Sequence, residues 1–270
     1  MAAPNFRLER QDLVTTIFID RPEQRNALST QMWLAIPEII QEEALAGTSV
    51  IIFAGGGGNF GAGADFADLK DLKTTADADY LWRAIAGALE AVYYAPLTAI
   101  ARIHGACLGG SCLLASACDL RYAAADAILG IPVAKLGIVL DDGCVNRLAD
   151  LVGTARAREL LFSGCTISGV EAQSIGLVNK AMEEAELTAF TLTQAKTIAA
   201  LEKLTEGYFS ICWQATAVTF WCDRNDADCN LEEGWDFEFE GRTMRIDNVA
   251  TGRYLVRDLC AGTITPSLPS

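Results

Sequence analysis

The sequence predicts an α/β fold with a mainly parallel sheet under helical cover, and three observations predict it. Short apolar, β-branched runs recur at intervals wide enough to hold a helix: Val14-Thr15-Thr16-Ile17-Phe18-Ile19, Val50-Ile51-Ile52-Phe53 and Leu97-Thr98-Ala99-Ile100-Ala101-Arg102-Ile103. The stretches between them carry apolar residues at helical spacing. Ser29 can cap a helix bearing Met32, Ile36, Ile39 and Ile40, and a second helix carries Leu81, Ile85, Leu89 and Val92. Strand, helix, strand in this order gives parallel neighbours, because the crossing helix must pack back on the sheet. Farther on, Ser168-Gly169-Val170-Glu171 is a capping-box sequence opening a short helix that ends near Gly176, ahead of Leu177-Val178-Asn179-Lys180. After about Glu183 the pattern reads as helical without clear strands. That shift predicts an α-helical carboxy-terminal subdomain and a division into residues 1–185 and 186–270.

With 270 residues, 51% of them hydrophobic and 21% charged, the chain can build one large core with a small appendage. A formal charge of −14 argues against nucleic-acid or anionic-membrane surfaces, which repel an acidic protein that has no local basic patch. No apolar run approaches the roughly 18 residues needed to span a bilayer. The segment Met1-Ala2-Ala3-Pro4-Asn5-Phe6-Arg7 lacks the charged-then-apolar order of a signal peptide, so a cytoplasmic location is expected. The nine cysteines are odd in number and irregular in spacing, with no CxxC or Cys/His pairing, which fits reduced, buried thiols better than a zinc site. No metal or redox cofactor is expected. A catalytic thiol among Cys107, Cys112 and Cys118 would need a base, and the sole histidine, His104, reads as structural.

Two glycine-bearing turns concentrate the chemistry: Phe60-Gly61-Ala62-Gly63-Ala64-Asp65 and His104-Gly105-Ala106-Cys107-Leu108-Gly109-Gly110-Ser111. Each follows a β-like run and precedes a helix-like one, so each can leave small-residue N–H groups uncovered where an anion is stabilised. Together they can form an oxyanion hole. Asp65 suits a helix cap. Glu90, Glu159 and Glu171 need no explanation beyond solvation.

These turns stand in a longer ordered series: Asp20-Arg21-Pro22-Glu23-Gln24-Arg25-Asn26-Ala27-Leu28 before them, then Cys118-Asp119-Leu120-Arg121-Tyr122-Ala123, Leu136-Gly137-Ile138 and Leu151-Val152-Gly153. The series, from about Leu13 to Lys180, resembles the enoyl-CoA hydratase/isomerase (crotonase) superfamily. The resemblance implies a ββα spiral core followed by a helical trimerisation subdomain, and a homotrimer or dimer of trimers. It also implies an acyl-CoA thioester as substrate, with coenzyme A part of the substrate and no separate cofactor. Carried over by position, the oxyanion donors are the N–H groups of Ala64 and Gly110. The acyl-CoA path would take in Arg25 and Ala27, then Ala62, Gly63, Ala64, Asp65 and Phe66, and the stretch Gly109 and Gly110.

The chain departs from the hydratase pattern where the two hydratase glutamates would stand, at Leu113 and Val133. Neither side chain can orient water or deliver a proton, so ordinary hydration is not expected. Asp141 falls where several isomerase-type members and the hydrolytic dehalogenases place a carboxylate, and Asp142 where the β-diketone hydrolases place theirs. An apolar setting of Val133, Ile138, Val139 and Leu140 would raise the pKa of Asp141. On the residues alone, the Asp141-Asp142-Gly143 cluster reads equally as an exposed turn before a helix. Three functions follow: an enoyl-CoA isomerase using one aspartate, a carbon–carbon or carbon–halogen hydrolase, or an acyl-CoA-binding protein without chemistry.

Overall fold

The computed structural model describes residues 5–204 and, beyond them, the backbone of five strands between residues 210 and 258. It divides into two compact units, Met1–Ala199 and Ala200–Ser270.

The first unit opens with a hairpin of β1 (Phe6–Gln11) and β2 (Val14–Ile19), paired antiparallel from Phe6 opposite Ile19 to Gln11 opposite Val14. α1 (Thr30–Leu45) follows, started by Ser29, whose hydroxyl accepts a hydrogen bond from the Met32 amide. Then come β3 (Val50–Gly55), α2 (Phe66–Asp71), α3 (Thr75–Tyr93) and β4 (Thr98–Ile103). Next in the chain are β5 (Ala106–Leu108), α4 (Gly110–Ala117), β6 (Leu120–Ala124) and β7 (Ile128–Gly130). A 3-10 turn, Pro132–Leu136, leads to α5 (Asp142–Val152), α6 (Thr154–Ser163), β8 (Thr166–Ser168), α7 (Gly169–Ser174), β9 (Lys180–Met182) and α8 (Glu184–Leu204). The Ser168 and Glu171 side chains close the expected capping box at α7.

Six strands form one sheet in the order β1-β2-β3-β4-β6-β9, in which only β1 runs antiparallel to its neighbour. β3 is buried along its whole length, which is why Val50 to Phe53 reads as an unbroken apolar run rather than an alternating one. Trp33, Phe53, Phe60, Ile17 and Leu28 are among the fully buried side chains, each contributing about 1.5–3 kcal/mol through burial. Glu43 of α1 is the charged exception. Burial pushes its carboxyl up, but hydrogen bonds from Arg10, Thr15 and Thr48 and the Arg10 charge outweigh this and hold it below the ordinary glutamate value. A second sheet, β5-β7-β8, stands at the end of β4 and carries the second glycine turn into α4.

α8 carries the expected helical pattern as far as Leu204. Beyond it lie β10 (Ser210–Gln214), β11 (Ala217–Trp221), β12 (Asp236–Phe239), β13 (Arg242–Ala250) and β14 (Arg253–Asp258). They form an antiparallel sheet in the order β10-β11-β14-β13-β12. Residues such as Ile211, Val218, Thr219, Phe220, Tyr254 and Val256 favour a sheet.

Candidate active site

The two glycine turns lie side by side, laced by a parallel ladder. Phe60 N–H donates to His104 O at 2.8 Å, Gly61 N–H to Ala106 O at 2.9 Å, and Leu108 N–H to Gly61 O at 2.9 Å. A second ladder ties the first turn to the segment before α1: Ala62 N–H donates to Arg25 O at 3.0 Å, Leu28 N–H to Gly63 O at 2.8 Å, and Asp65 N–H to Leu28 O at 2.8 Å. Gly63 N–H donates to the buried Ser111 hydroxyl at 3.0 Å. From Phe60 to Asp65, the amide left without an acceptor among the described residues is that of Ala64. Across from it, the amide of Gly110, first residue of α4, also has none. The two are close: Ala64 N lies 3.5 Å from where a Cβ on Gly110 would stand.

Both glycines are required by that approach. Gly63 has φ +96, and a Cβ there would meet Leu108 O at 2.8 Å and Gly110 N at 3.0 Å. A Cβ on Gly110 would meet the Trp33 ring at 3.1 Å. Trp33 is fully buried and its indole N–H has no partner among the described residues.

Asp65 caps α2 as expected, accepting from Ala67 N–H at 2.9 Å. Its other oxygen receives Arg21 at 2.7 Å, and Arg21 also donates to Ala27 O at 2.8 Å. The Ala67 amide lowers the Asp65 pKa most; burial opposes, and the Arg21 hydrogen bond and charge lower it further. Asn26 is wholly buried, donating to Gly56 O and Asn59 O at 2.7 and 2.6 Å. Ser111, Arg21, Asn26 and Trp33 thus support the turns without having been singled out as site residues in the sequence. A signal was present for Asn26 and Arg21, polar residues in the ordered series before α1, and for Ser111, the last residue of the second turn; none marked Trp33.

The carboxylate side is built differently. Leu113 is buried one turn along α4, and Val133 is half-buried on the 3-10 turn. α4 packs against α5, whose N-cap is Asp141. One Asp141 oxygen accepts from Cys144 N–H at 2.8 Å, so this residue occupies the helix-start role that Asp-Asp-Gly sequences favour. Asp142 is exposed as the first residue of α5. The expected apolar setting is only partial: Ile138 and Leu140 are half-buried, but Val139 is 88% exposed. The stretch crosses from the 3-10 turn to α5 without a strand or helix of its own to press it into the core.

Arg25 is exposed, in a left-handed conformation, and Ala27 is buried beside it. Ala62 is half-buried, Phe66 exposed at the start of α2, and Gly109 precedes α4 with φ +55. His104 is buried, with Nε2 2.7 Å from Gly57 O, which matches its structural reading. Burial pushes the Cys107 and Cys118 thiols up, which works against a thiolate nucleophile. Burial and then the Asp141 charge push Cys144 up to about 11. Among the described residues no cluster suits a metal ion, and no helix is long and apolar enough to cross a membrane.

The sequence model for enoyl-CoA hydratase/isomerase matches residues 9–209. The chain belongs to this family. A probable enoyl-CoA hydratase of Bacillus subtilis is 41% identical over 177 residues, which are 65% of this chain and 67% of that protein. A peroxisomal Delta(3,5)-Delta(2,4)-dienoyl-CoA isomerase of Arabidopsis thaliana is 36% identical, over 61% of this chain and 63% of that one. The chain thus spans about two thirds of the length of these relatives. Among solved structures, an enoyl-CoA hydratase/isomerase family protein of Hyphomonas neptunium superposes with a TM-score of 0.70 at 36% identity, over 73% of this chain and 76% of that one. The family and its fold are therefore those the two turns imply, and it groups hydratases with isomerases.

Proposed function

We propose that this member is an enoyl-CoA isomerase. The thioester oxygen rests between the N–H groups of Ala64 and Gly110, and Asp141 removes the α proton of a 3-enoyl thioester. The C–H electron pair becomes a double bond between the α carbon and the thioester carbon, and the carbonyl π pair moves onto the thioester oxygen, giving a dienolate conjugated with the 3,4 double bond. The proton returns two carbons away and the oxygen's charge flows back. The observation that carries this reading is the pair of unengaged amides held side by side by otherwise complete ladders. Donors fixed before the charge develops spend nothing on reorganisation. Leu113 and Val133 leave no glutamate pair to handle water, which disfavours hydration although several relatives are named hydratases.

A panel of enoyl-CoA and oxoacyl-CoA thioesters, followed by mass spectrometry in isotope-labelled water, tests the proposal. Isomerisation leaves the product mass free of added oxygen. The Asp141→Asn variant should bind acyl-CoA and lose about 10²–10⁴ in turnover; full activity in that variant would show that Asp141 is not the acid/base. One observation favours a second reading. Asp141 already spends an oxygen on the α5 cap, as it would in an acyl-CoA-binding protein without chemistry. Turnover of any panel member at enzyme-like rates would rule that out. We also infer a homotrimer or dimer of trimers, and light scattering on the purified chain would decide between these and a monomer.

A further inference from the structure

A cross-strand row of residues lies opposite one another on the six-stranded sheet: Arg7, Phe18, Ala54, Arg102, Tyr122 and Lys180. α8 covers the Tyr122 end, where Phe190 meets the Tyr122 ring edge-on at 5.1 Å. Between the bulky Phe18 and Tyr122, small Ala54 leaves room, and a cavity of about 220 Å³ opens beside Arg102. Gly57, His104, Glu184 and Thr188 also line it, and no residue from Phe60 to Phe66 or from Ala106 to Ser111 does.

Arg102 is the anomaly. Its side chain belongs to a residue only 7% exposed, yet among the described residues it makes no hydrogen bond or ion pair. Its guanidinium carbon lies 5.4 Å from the Phe18 ring centre, and the Glu9 charge acts on it from β1. A guanidinium keeps its charge, and the Arg102 donors border the cavity with no acceptor among the described residues, open to a ligand that supplies one. The Thr188 hydroxyl, one turn into α8, likewise has no hydrogen bond among the described residues, and the positive end of the helix dipole lies at the same end of α8. His104 is held through Nε2 by Gly57 O and cannot supply the missing acceptor from that atom. Glu184, exposed at the rim, makes no ion pair among the described residues; its charge selects against ligands with several negative groups.

We propose that this cavity is an anion site separate from the thioester site, in which the Arg102 fork grips two oxygens of a small oxyanion beside the Thr188 hydroxyl. The ligand is inorganic phosphate or the carboxylate of a small organic acid, since both offer the paired oxygens that a guanidinium matches.

Calorimetric titration of the full chain with phosphate, and separately with acetate, at ionic strength held constant with sodium chloride, tests this. Saturable binding of either anion is expected, and the arm that responds identifies which class the site takes. Arg102→Met should weaken binding about ten- to a hundredfold, and Arg102→Lys less, because it keeps the charge without the fork. Should the Arg102 variants fail to fold, Thr188→Ala and Glu184→Gln decide, since both positions are exposed on α8. The first should weaken binding and the second tighten it. The proposal is overturned if neither anion binds saturably, or if these variants bind as the unaltered chain does. It also falls if coenzyme A displaces the anion and Arg102→Met raises KM for acyl-CoA, since the cavity would then belong to the thioester site. None of these outcomes depends on which acyl-CoA reaction the chain performs.

Discussion

On the donor side of the candidate site, every amide from Phe60 to Asp65 except that of Ala64 is tied to the segment before α1, to His104, to β5 or to Ser111. On the carboxylate side, Asp141 stands between an exposed Val139 and the start of α5, with one hydrogen bond to its own helix. The contrast shows which part of such a site the fold must fix and which it can leave to single side chains. Donors aimed at developing charge work only if they are already in place, so their positions are made part of the sheet hydrogen bonding. A proton carrier needs reach, and a single side chain on a turn can provide that.

The sharpest way to break the contrast is Gly63→Ala. A methyl group there meets Leu108 O and Gly110 N and strains a left-handed backbone, so turnover should fall about 10²–10³ in a steady-state assay, as when an oxyanion donor is lost. Arg21→Met is next. It strips Asp65 of a partner in a pair whose side chains are 17% and 13% exposed, and urea denaturation should register a loss of about 1–3 kcal/mol. The same tie makes a pH prediction. The folded Asp65 pKa lies below its ordinary value, so the tie stabilises the protein fully above the ordinary aspartate value, and the contribution is lost as pH falls from there through the lower folded value. The stability gap between the unaltered chain and Asp65→Asn should therefore be full at neutral pH and close on acidification. A gap that widened toward acid would mean that the tie is not what Asp65 contributes.

On the other side of the site, smaller effects are expected. Asp141→Ala removes a helix cap and should cost about 1 kcal/mol, whatever it does to turnover. Val139→Ser should stay within about 0.5 kcal/mol of the unaltered chain in thermal melts. A large loss at Val139 would show that the turn is as firmly built as the cradle.

The sequence was most readable where burial is strongest. β2, β3 and β4, α1 with its Ser29 cap, α3 and the α7 capping box all stand close to where periodicity and capping chemistry put them. β1 was hidden because Arg7, Glu9 and Arg10 on an edge strand dilute its apolar signal, and pairing with β2 supplies what its side chains do not. β12, β13 and β14 were hidden for a related reason, since Asp236, Glu238, Arg242, Arg245, Asp247, Arg253 and Arg257 interrupt their apolar residues. In the site, the glycines announced themselves, since few other residues permit such close backbones. The supporting roles of Ser111, Arg21 and Trp33 did not, although the first two stand inside the motifs, because each acts through a partner many positions away in the chain. Asp141 was singled out by resemblance alone, and its capping bond shows why the residues themselves left its role open: one Asp before a helix serves either purpose.

Trp33 offers an optical consequence of the way the cradle is packed. Its indole is sealed from solvent, unbonded at nitrogen, and pressed against the place where Gly110 can spare no methyl group. Such a ring emits at short wavelength and responds to charge appearing nearby. The chain therefore carries a fluorophore at the foot of α4, and filling the space between the two amides should alter its emission without any label being attached.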